Sequence, residues 1–382
     1  MSSYSDAKQV YAEVGVDTEL ALTKLDSIPI SLHCWQGDEF RGFEGMNAKN
    51  SADLRNSMDK ALALVPGAAK INLHAMYGEF PNNIDRDTID PTHFKGWLDW
   101  AKEKGRGIDF NPTLFNHTNV DNGLTLSHPS KNIRDFWIEH VKRCRNISAF
   151  FGESLKQVCV MNLWIPDGFR DAPVDQLSPR RRLEDSLDEI YRVHHNPAHI
   201  LDVVEGKLFG VGKESYTVGS HEFYYGYAAE KGLGLCLDTG HLHPTETVSS
   251  KISAVALFIS HMMIHVSRPV RWSQDHVVLL DDELINLAKE LVRHDLLGRV
   301  HISLDYFEGT IDRITAWAIG ARNMRKALLI AALEPYAILR RAEDSFDLTR
   351  RLALLEECKM LPWVAVWDEY CERKNVPKRL AL

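Results

Sequence analysis

No C-x-x-C pair occurs anywhere in this sequence. The six cysteines, Cys34, Cys144, Cys159, Cys236, Cys358 and Cys371, are scattered along the chain, which excludes a zinc ribbon or a dithiol redox motif. Cys159 and Cys236 sit inside apolar runs, where a free thiol behaves as a small hydrophobe. Long hydrophobic runs are missing too. No stretch approaches the roughly 20 apolar residues of a membrane span, and the opening MSSYSDAKQVYAEVG lacks the apolar core of a secretory signal. A reduced, cytoplasmic setting is the expectation. Nor is there a basic excess: 45 Lys and Arg stand against 53 Asp and Glu, a net charge of −8. That balance argues against a nucleic-acid or anionic-membrane surface. The one dense basic run, Arg180-Arg181-Arg182, is followed by Glu184 and Asp185 and reads as the solvated face of a helix.

What the 382 residues do contain is alternation, with short apolar runs following longer amphipathic ones, as in parallel strands joined by helices. Strands are expected at 29–34, 70–76, 107–112, 158–165, 201–205, 233–239, 262–267 and 299–305. Eight is the number a closed (β/α)8 TIM barrel needs. Helices are expected at 51–65, with Ser51 as cap, and at 91–104, 130–154, 178–194, 216–231, 248–261, 281–296 and 310–332. Residues 1–332 are then a barrel with a helical lead-in. No Pro/Gly/Ser-rich linker precedes 333–382, so this segment is expected to be a C-terminal helical extension packed on the barrel or on a neighbouring subunit.

Each expected strand delivers polar groups at or just past its C-terminal end, where barrels build active sites. They are His33, His74, Asp109 with Asn111, Asn162 with Asp167, Glu205, Asp238 with His241, His265, and Asp305. A lone histidine at a strand end is commonly structural. Eight coincident polar ends would be costly to bury without partners, and a metal supplies the compensation. Glu205, Asp238, His265 and Asp305 come from four successive strands, and three carboxylates with one imidazole suit Mn²⁺ or Mg²⁺ better than Zn²⁺. His241, in LDTGHLHPTE, and Asp275, in RWSQDHVV, are candidates for a second cation; a zinc motif centred on H-x-H is the alternative for the former segment. Lys207 is placed to stabilise negative charge beside them. Trp35, Phe115 and Trp164 are candidate walls for a sugar, although an aromatic near a strand end is as readily core.

The strings ISLHCWQGD, INLHAMY, LDTGHLHPTE, HVSRPVRW and LDYFEGTIDR occur in this order and strongly resemble those of the L-rhamnose isomerase family, from about residue 8 to about 375. The resemblance implies a cytoplasmic, homotetrameric barrel enzyme that interconverts L-rhamnose and L-rhamnulose with two Mn²⁺ ions per chain, for which Mg²⁺, Co²⁺ or Zn²⁺ are possible substitutes. It implies a structural metal on Glu205, Asp238, His265 and Asp305, and a catalytic one on His241, Asp275 and the position of Ser273, an Asp in the family. His74, Trp35, Phe115 and Trp164 are the expected substrate-binding residues. Hydride would pass between C1 and C2 of the open-chain sugar, with Lys207 stabilising charge and Asp305 handling the proton moves between O1 and O2. Besides Ser273, the segment after FRGFEG is shorter than in typical members, and the sequence stops at KNVPKRLAL earlier than most. A catalytically weakened or inactive paralogue, keeping the structural metal and sugar binding, is therefore the alternative. Another metal-dependent barrel enzyme, an epimerase or an abasic-site endonuclease, is a third reading, and the acidic balance opposes the nuclease.

Overall fold

A computed structural model describes residues 3–37, 50–80 and 84–380. Eight parallel strands close into a barrel in chain order: Ile30–His33, Ala69–His74, Gly107–Asn111, Cys159–Leu163, Ile200–Glu205, Gly234–Asp238, Met262–Val266 and Val300–Leu304. The eighth strand returns to the first in the register Ile30↔Ile302 and Ser31↔Ser303. Every expected strand is present, with ends within two residues of the expected ones: six lie inside their expected spans, whereas the second and fifth begin one residue earlier, at Ala69 and Ile200. The shortened segment after FRGFEG falls, up to Asn50, within residues 38–49, which lie outside the described residues.

Because successive strand residues face opposite ways, register sorts the barrel interior into layers. Asn72 pairs with both His33 and Asp109, Asn162 with Val203, Asp238 with His265, and His265 with Ser303. His33, His74, Asn111, Asn162, Glu205, Asp238 and His265 are each the last or second-to-last residue of their strand and so lie at the barrel's C-terminal end. Below it Val160, Val203, Cys236 and Met263 form an apolar floor on one side. Opposite, Lys70 and Asp109 make a buried ion pair, and Asp109 also accepts from Val160 N at 2.9 Å. Asp109 thus belongs to the barrel's lower half and not to the strand-end group.

Helix boundaries follow local capping. The third helix, Ser51–Leu62, is capped by Asn50, whose side chain accepts from Asp53 N; Ser51 is already its first turn. The helix expected from 216 begins at His221, because Ser220 caps it and Tyr216–Thr217 instead pair with Gly168–Phe169 in a two-stranded ribbon. Helix Asp282–Arg293 is the clearest amphipathic stripe: Leu284, Leu287, Ala288 and Leu291 are buried, Asp281 caps, and Asp282 and Glu283 fill the first turn.

Helix Arg313–Ala332 packs over the seam where the first and eighth strands meet, and Trp317 Nε1 donates to His33 O at 2.8 Å. From the same helix the fully buried Arg325 donates to the carbonyls of Leu25 (2.8 Å), Ile28 (2.6 Å) and Ala68. One guanidinium so ties the lead-in helix Thr18–Ser27 to the barrel. Arg325→Met would take the guanidinium donor from all three carbonyls, leaving Leu25 O and Ala68 O only their backbone donors, Ile28 N at 3.4 Å and Ile30 N at 3.2 Å, and is expected to cost about 3 kcal/mol in denaturant unfolding while sparing the site. The C-terminal helices Tyr336–Asp344, Leu348–Cys358 and Trp363–Arg373 fold back on this scaffold. Trp367 and Tyr370 are buried, and Tyr370 Oη donates to Asp26 at 3.2 Å. Among the described residues, no helix is long and apolar enough to cross a membrane.

Candidate active site

A cavity of about 290 Å³ opens at the C-terminal end of the strands. Trp35, His74, Phe115, Trp164, Glu205, Lys207, His241, His265, Asp275 and Asp305 all line it. Asp238 is buried at its base, 3.7 Å from His265 Nδ1. Ser273 does not line the cavity.

One ligand atom each from Glu205, Asp238, His265 and Asp305 can be chosen so that all lie within 4.8 Å of one another. A hard cation with ligands at about 2.0–2.6 Å spans about 5 Å between opposite ligands, so one ion fits. His265 Nδ1 lies 3.1 Å from Asp305 Oδ2, 3.3 Å from Glu205 Oε2 and 3.7 Å from Asp238 Oδ2, yet meets none of them with hydrogen-bond geometry. His241 Nδ1 is likewise buried and unbonded, 2.9 Å from Glu205 Oε1. Lone pairs that converge without bonding one another mark a place for a cation, and no Lys or Arg among the described residues forms an ion pair with the cluster.

The same crowding governs ionisation. Burial, reinforced by the charges of Asp305 and Glu205, pushes the Asp238 carboxyl well above its usual range. Burial opposes ionisation of Glu205 too, but His265 and His241 hold it well below that range. Asp305, despite its burial, is drawn down to about 2 by His265. His74 is pushed down to about 4 by burial and so stands neutral at ordinary pH.

Local sequence explains why these groups converge. In LDTGH, Gly240 N donates to Asp238 Oδ1 at 2.6 Å, and a Cβ at Gly240 would lie 2.9 Å from Gln274 O. His241 O accepts from Leu208 N (3.1 Å) and lies 2.9 Å from His221 Nε2, which laces the fifth and sixth strand-end loops together. RWSQDH is not a plain loop but the turn and returning strand of a ribbon, Arg268–Val270 against Ser273–His276, with Arg271 at φ 56°. Ser267 Oγ donates to Gln274 O (3.0 Å) and Phe307 N to Asp275 O (2.8 Å), pinning the ribbon over the site. Asp275 meets water in the cavity mouth but is enclosed elsewhere, and this enclosure, with Asp305's charge, pushes its carboxyl up. Ser273 is exposed, and its Oγ lies 2.8 Å from His276 Nε2.

Three expected strand-end groups serve structure instead. His33 Nε2 sits 2.8 Å from Tyr306 O, Asp109 pairs with Lys70, and Asp167 accepts from the amides and hydroxyls of Thr125 and Ser127. Two groups that the sequence reading left unassigned stand against the cluster. Asn72 Nδ2 lies 3.4 Å from His265 Nε2, and Cys236 Sγ is close enough to share a cation with Glu205 and His265. Each precedes a candidate by two residues on the same strand (His74 and Asp238), so period-two reading would have found both.

The L-rhamnose isomerase (RhaA) family model matches residues 1–381. The chain belongs to the L-rhamnose isomerase family. An L-rhamnose isomerase of Cronobacter sakazakii is 55% identical over 387 residues, covering 97% of this chain and 93% of that protein. Those of Yersinia pseudotuberculosis and of Escherichia coli strain SE11 are 53% and 54% identical, again over 97% of this chain and 93% and 92% of theirs. Among solved structures an L-ribulose 3-epimerase superposes with a TM-score of 0.53 at 12% identity, covering 81% of this chain and 98% of that one. That likeness concerns the barrel alone.

Proposed function

We propose that this member of the L-rhamnose isomerase family interconverts L-rhamnose and L-rhamnulose as a metal-dependent aldose–ketose isomerase. The observation that carries the reading, beside the family, is the buried cluster of three carboxylates and a histidine whose ring nitrogen is unbonded. It sits beneath a cavity walled by Trp35, Phe115 and Trp164. Glu205, Asp238, His265 and Asp305 would hold one divalent cation, and His241 and Asp275 a second. The oxygen-rich donor set favours Mn²⁺, with Mg²⁺, Co²⁺ or Zn²⁺ as substitutes. Cations bound there supply Lewis acidity toward the carbonyl and hydroxyl of the open-chain sugar.

The chain's own groups divide the remaining work. Lys207 lines the cavity with its Nζ 5.4 Å from the Trp164 ring centroid and has no carboxylate partner among the described residues. It stabilises negative charge on a substrate oxygen while hydride passes between C1 and C2. Asp305, held ionised and oriented by Trp35 Nε1 at 3.0 Å, takes and returns the proton that moves between O1 and O2. Neutral His74, with Nδ1 3.3 Å from Thr113 Oγ1, keeps Nε2 for a sugar hydroxyl. A cytoplasmic homotetramer, with residues 333–382 as a helical extension of the 1–332 barrel unit, completes the reading.

The test is L-rhamnose isomerisation with added Mn²⁺, in the native chain beside Ser273→Asp. Turnover is expected in both. Ser273 itself lies off the cavity but stands two residues from Asp275 on the same ribbon, so a carboxylate there should lower the Mn²⁺ concentration for half-maximal rate about tenfold by adding negative charge near the second cation. No turnover from either folded protein overturns the catalytic reading. Turnover with an unchanged Mn²⁺ dependence removes position 273 from the metal site.

A further inference from the structure

We infer that Asn162, with Trp164 two residues on, forms a hydroxyl-recognition site where the metal cluster meets the aromatic wall. The inference rests on the isomerase reading and extends it to residues that choose the sugar. Asn162 is the second-to-last residue of the fourth strand, is 2% exposed, and lines the cavity. Its Nδ2 donates to Glu205 Oε2 at 2.5 Å. That contact fixes the amide's orientation, since a carboxylate oxygen accepts from an N–H and repels a carbonyl oxygen. The outcome is a buried Oδ1 with no partner.

Trp164 Nε1 is also buried without a partner. An unpaired acceptor and an unpaired donor thus stand on one strand exit, both residues facing one cavity. Buried polar groups are almost always satisfied, and each exception needs an account. Sugar hydroxyls supply it, because an O–H donates and accepts at once. Hydroxyls of a sugar held against this wall would donate to Asn162 Oδ1 and accept from Trp164 Nε1. A site built this way also rejects analogues that lack the hydroxyl, since its own groups then stay unpaired. Asn162 does a second task by tethering Glu205, so the test must separate recognition from positioning.

L-rhamnitol, which has no carbonyl and cannot turn over, serves as the calorimetric probe in Mn²⁺-saturated protein, with a panel of analogues each lacking one hydroxyl. Asn162→Ala is expected to weaken L-rhamnitol about tenfold, near 1.4 kcal/mol, and to have no effect on the one analogue lacking the recognised hydroxyl. Trp164→Phe, which keeps a ring but removes the N–H, should show the same selective silence with a smaller loss. Uniform weakening across the panel, accompanied by weaker Mn²⁺ binding, would mean that Asn162 only positions Glu205 and overturns the inference. No weakening with any probe would mean that water alone fills the site and overturns it equally. Native-chain turnover of L-rhamnose reports separately on the isomerase reading, so the two failures are distinguishable.

Discussion

Glu205→Gln is expected to abolish cation-dependent stabilisation and to cut turnover by about 10³-fold, corresponding to about 4 kcal/mol in the barrier. Glu205 is the hub of the cluster. Oε1 faces His241 Nδ1 at 2.9 Å, while Oε2 accepts from Asn162 and lies 3.3 Å from His265 Nδ1. Glutamine has one oxygen to offer. If Asn162 claims it, an N–H₂ is turned toward the cation's place, where a donor opposes binding. The native chain should gain about 2.7 kcal/mol when Mn²⁺ is at 100 times its dissociation constant, and the variant almost none. Without metal the variant gives up the attraction of His265 and His241, which hold Glu205 well below the usual range. Relief of the repulsion that pushes Asp238 upward offsets only part of that loss, so the metal-free variant should melt somewhat lower than the metal-free native chain. Thermal scans with and without Mn²⁺ give both readings in one experiment. A Mn²⁺-induced shift that persists in Glu205→Gln would remove this cluster from the metal site.

Much of this was legible in the sequence because a parallel barrel turns pattern into position. Each apolar run such as LGLCLDT ends on its polar residue, and closure of eight such strands forces the ends together. Glu205, Asp238, His265 and Asp305 could therefore be read as one cluster from strand order alone. Where the reading went astray, the cause was local. Asp109 looks like a strand-end acid in GIDFNP, but the strand runs on to Asn111, and Asp109, two residues short of its end, is neutralised by Lys70. Asp167 follows the fourth strand, but four hydrogen bonds from Thr125 and Ser127 turn it to a neighbouring loop. These partners are about 40 residues away in sequence, and no periodicity announces them. The ribbon at 268–276 escaped for a similar reason. Its strands are very short and its turn residue Arg271 takes a positive φ without glycine, so neither alternation nor turn chemistry marks it. That ribbon determines which side chain of RWSQDH lines the cavity: Asp275 does and Ser273 does not.

Lys207→Met gives the complementary result, with turnover lost and metal retained. Methionine keeps the length and apolar stem that pack near Trp164, but removes the ammonium from a cavity in which Glu205, Asp275 and Asp305 are all acids. Loss of one positioned charge stabiliser costs about 10²- to 10³-fold in kcat. Because that charge is needed as hydride moves, and less in the bound ground state, kcat should fall far more than KM rises. Mn²⁺-induced stabilisation should survive, since no candidate metal ligand is touched; this separates Lys207 from Glu205. Arginine should not rescue. Its wider planar fork cannot put a compact charge into the same space, and Gly206, where an added Cβ would lie 2.9 Å from His221 Nδ1, leaves the backbone little room to shift. The competing account makes Lys207 a packing residue whose ammonium merely rests over the indole. It predicts lower stability with kcat nearly intact. Measuring kcat, KM and the melting temperature of Lys207→Met with Mn²⁺ present decides between the two, because each account moves a quantity that the other leaves in place.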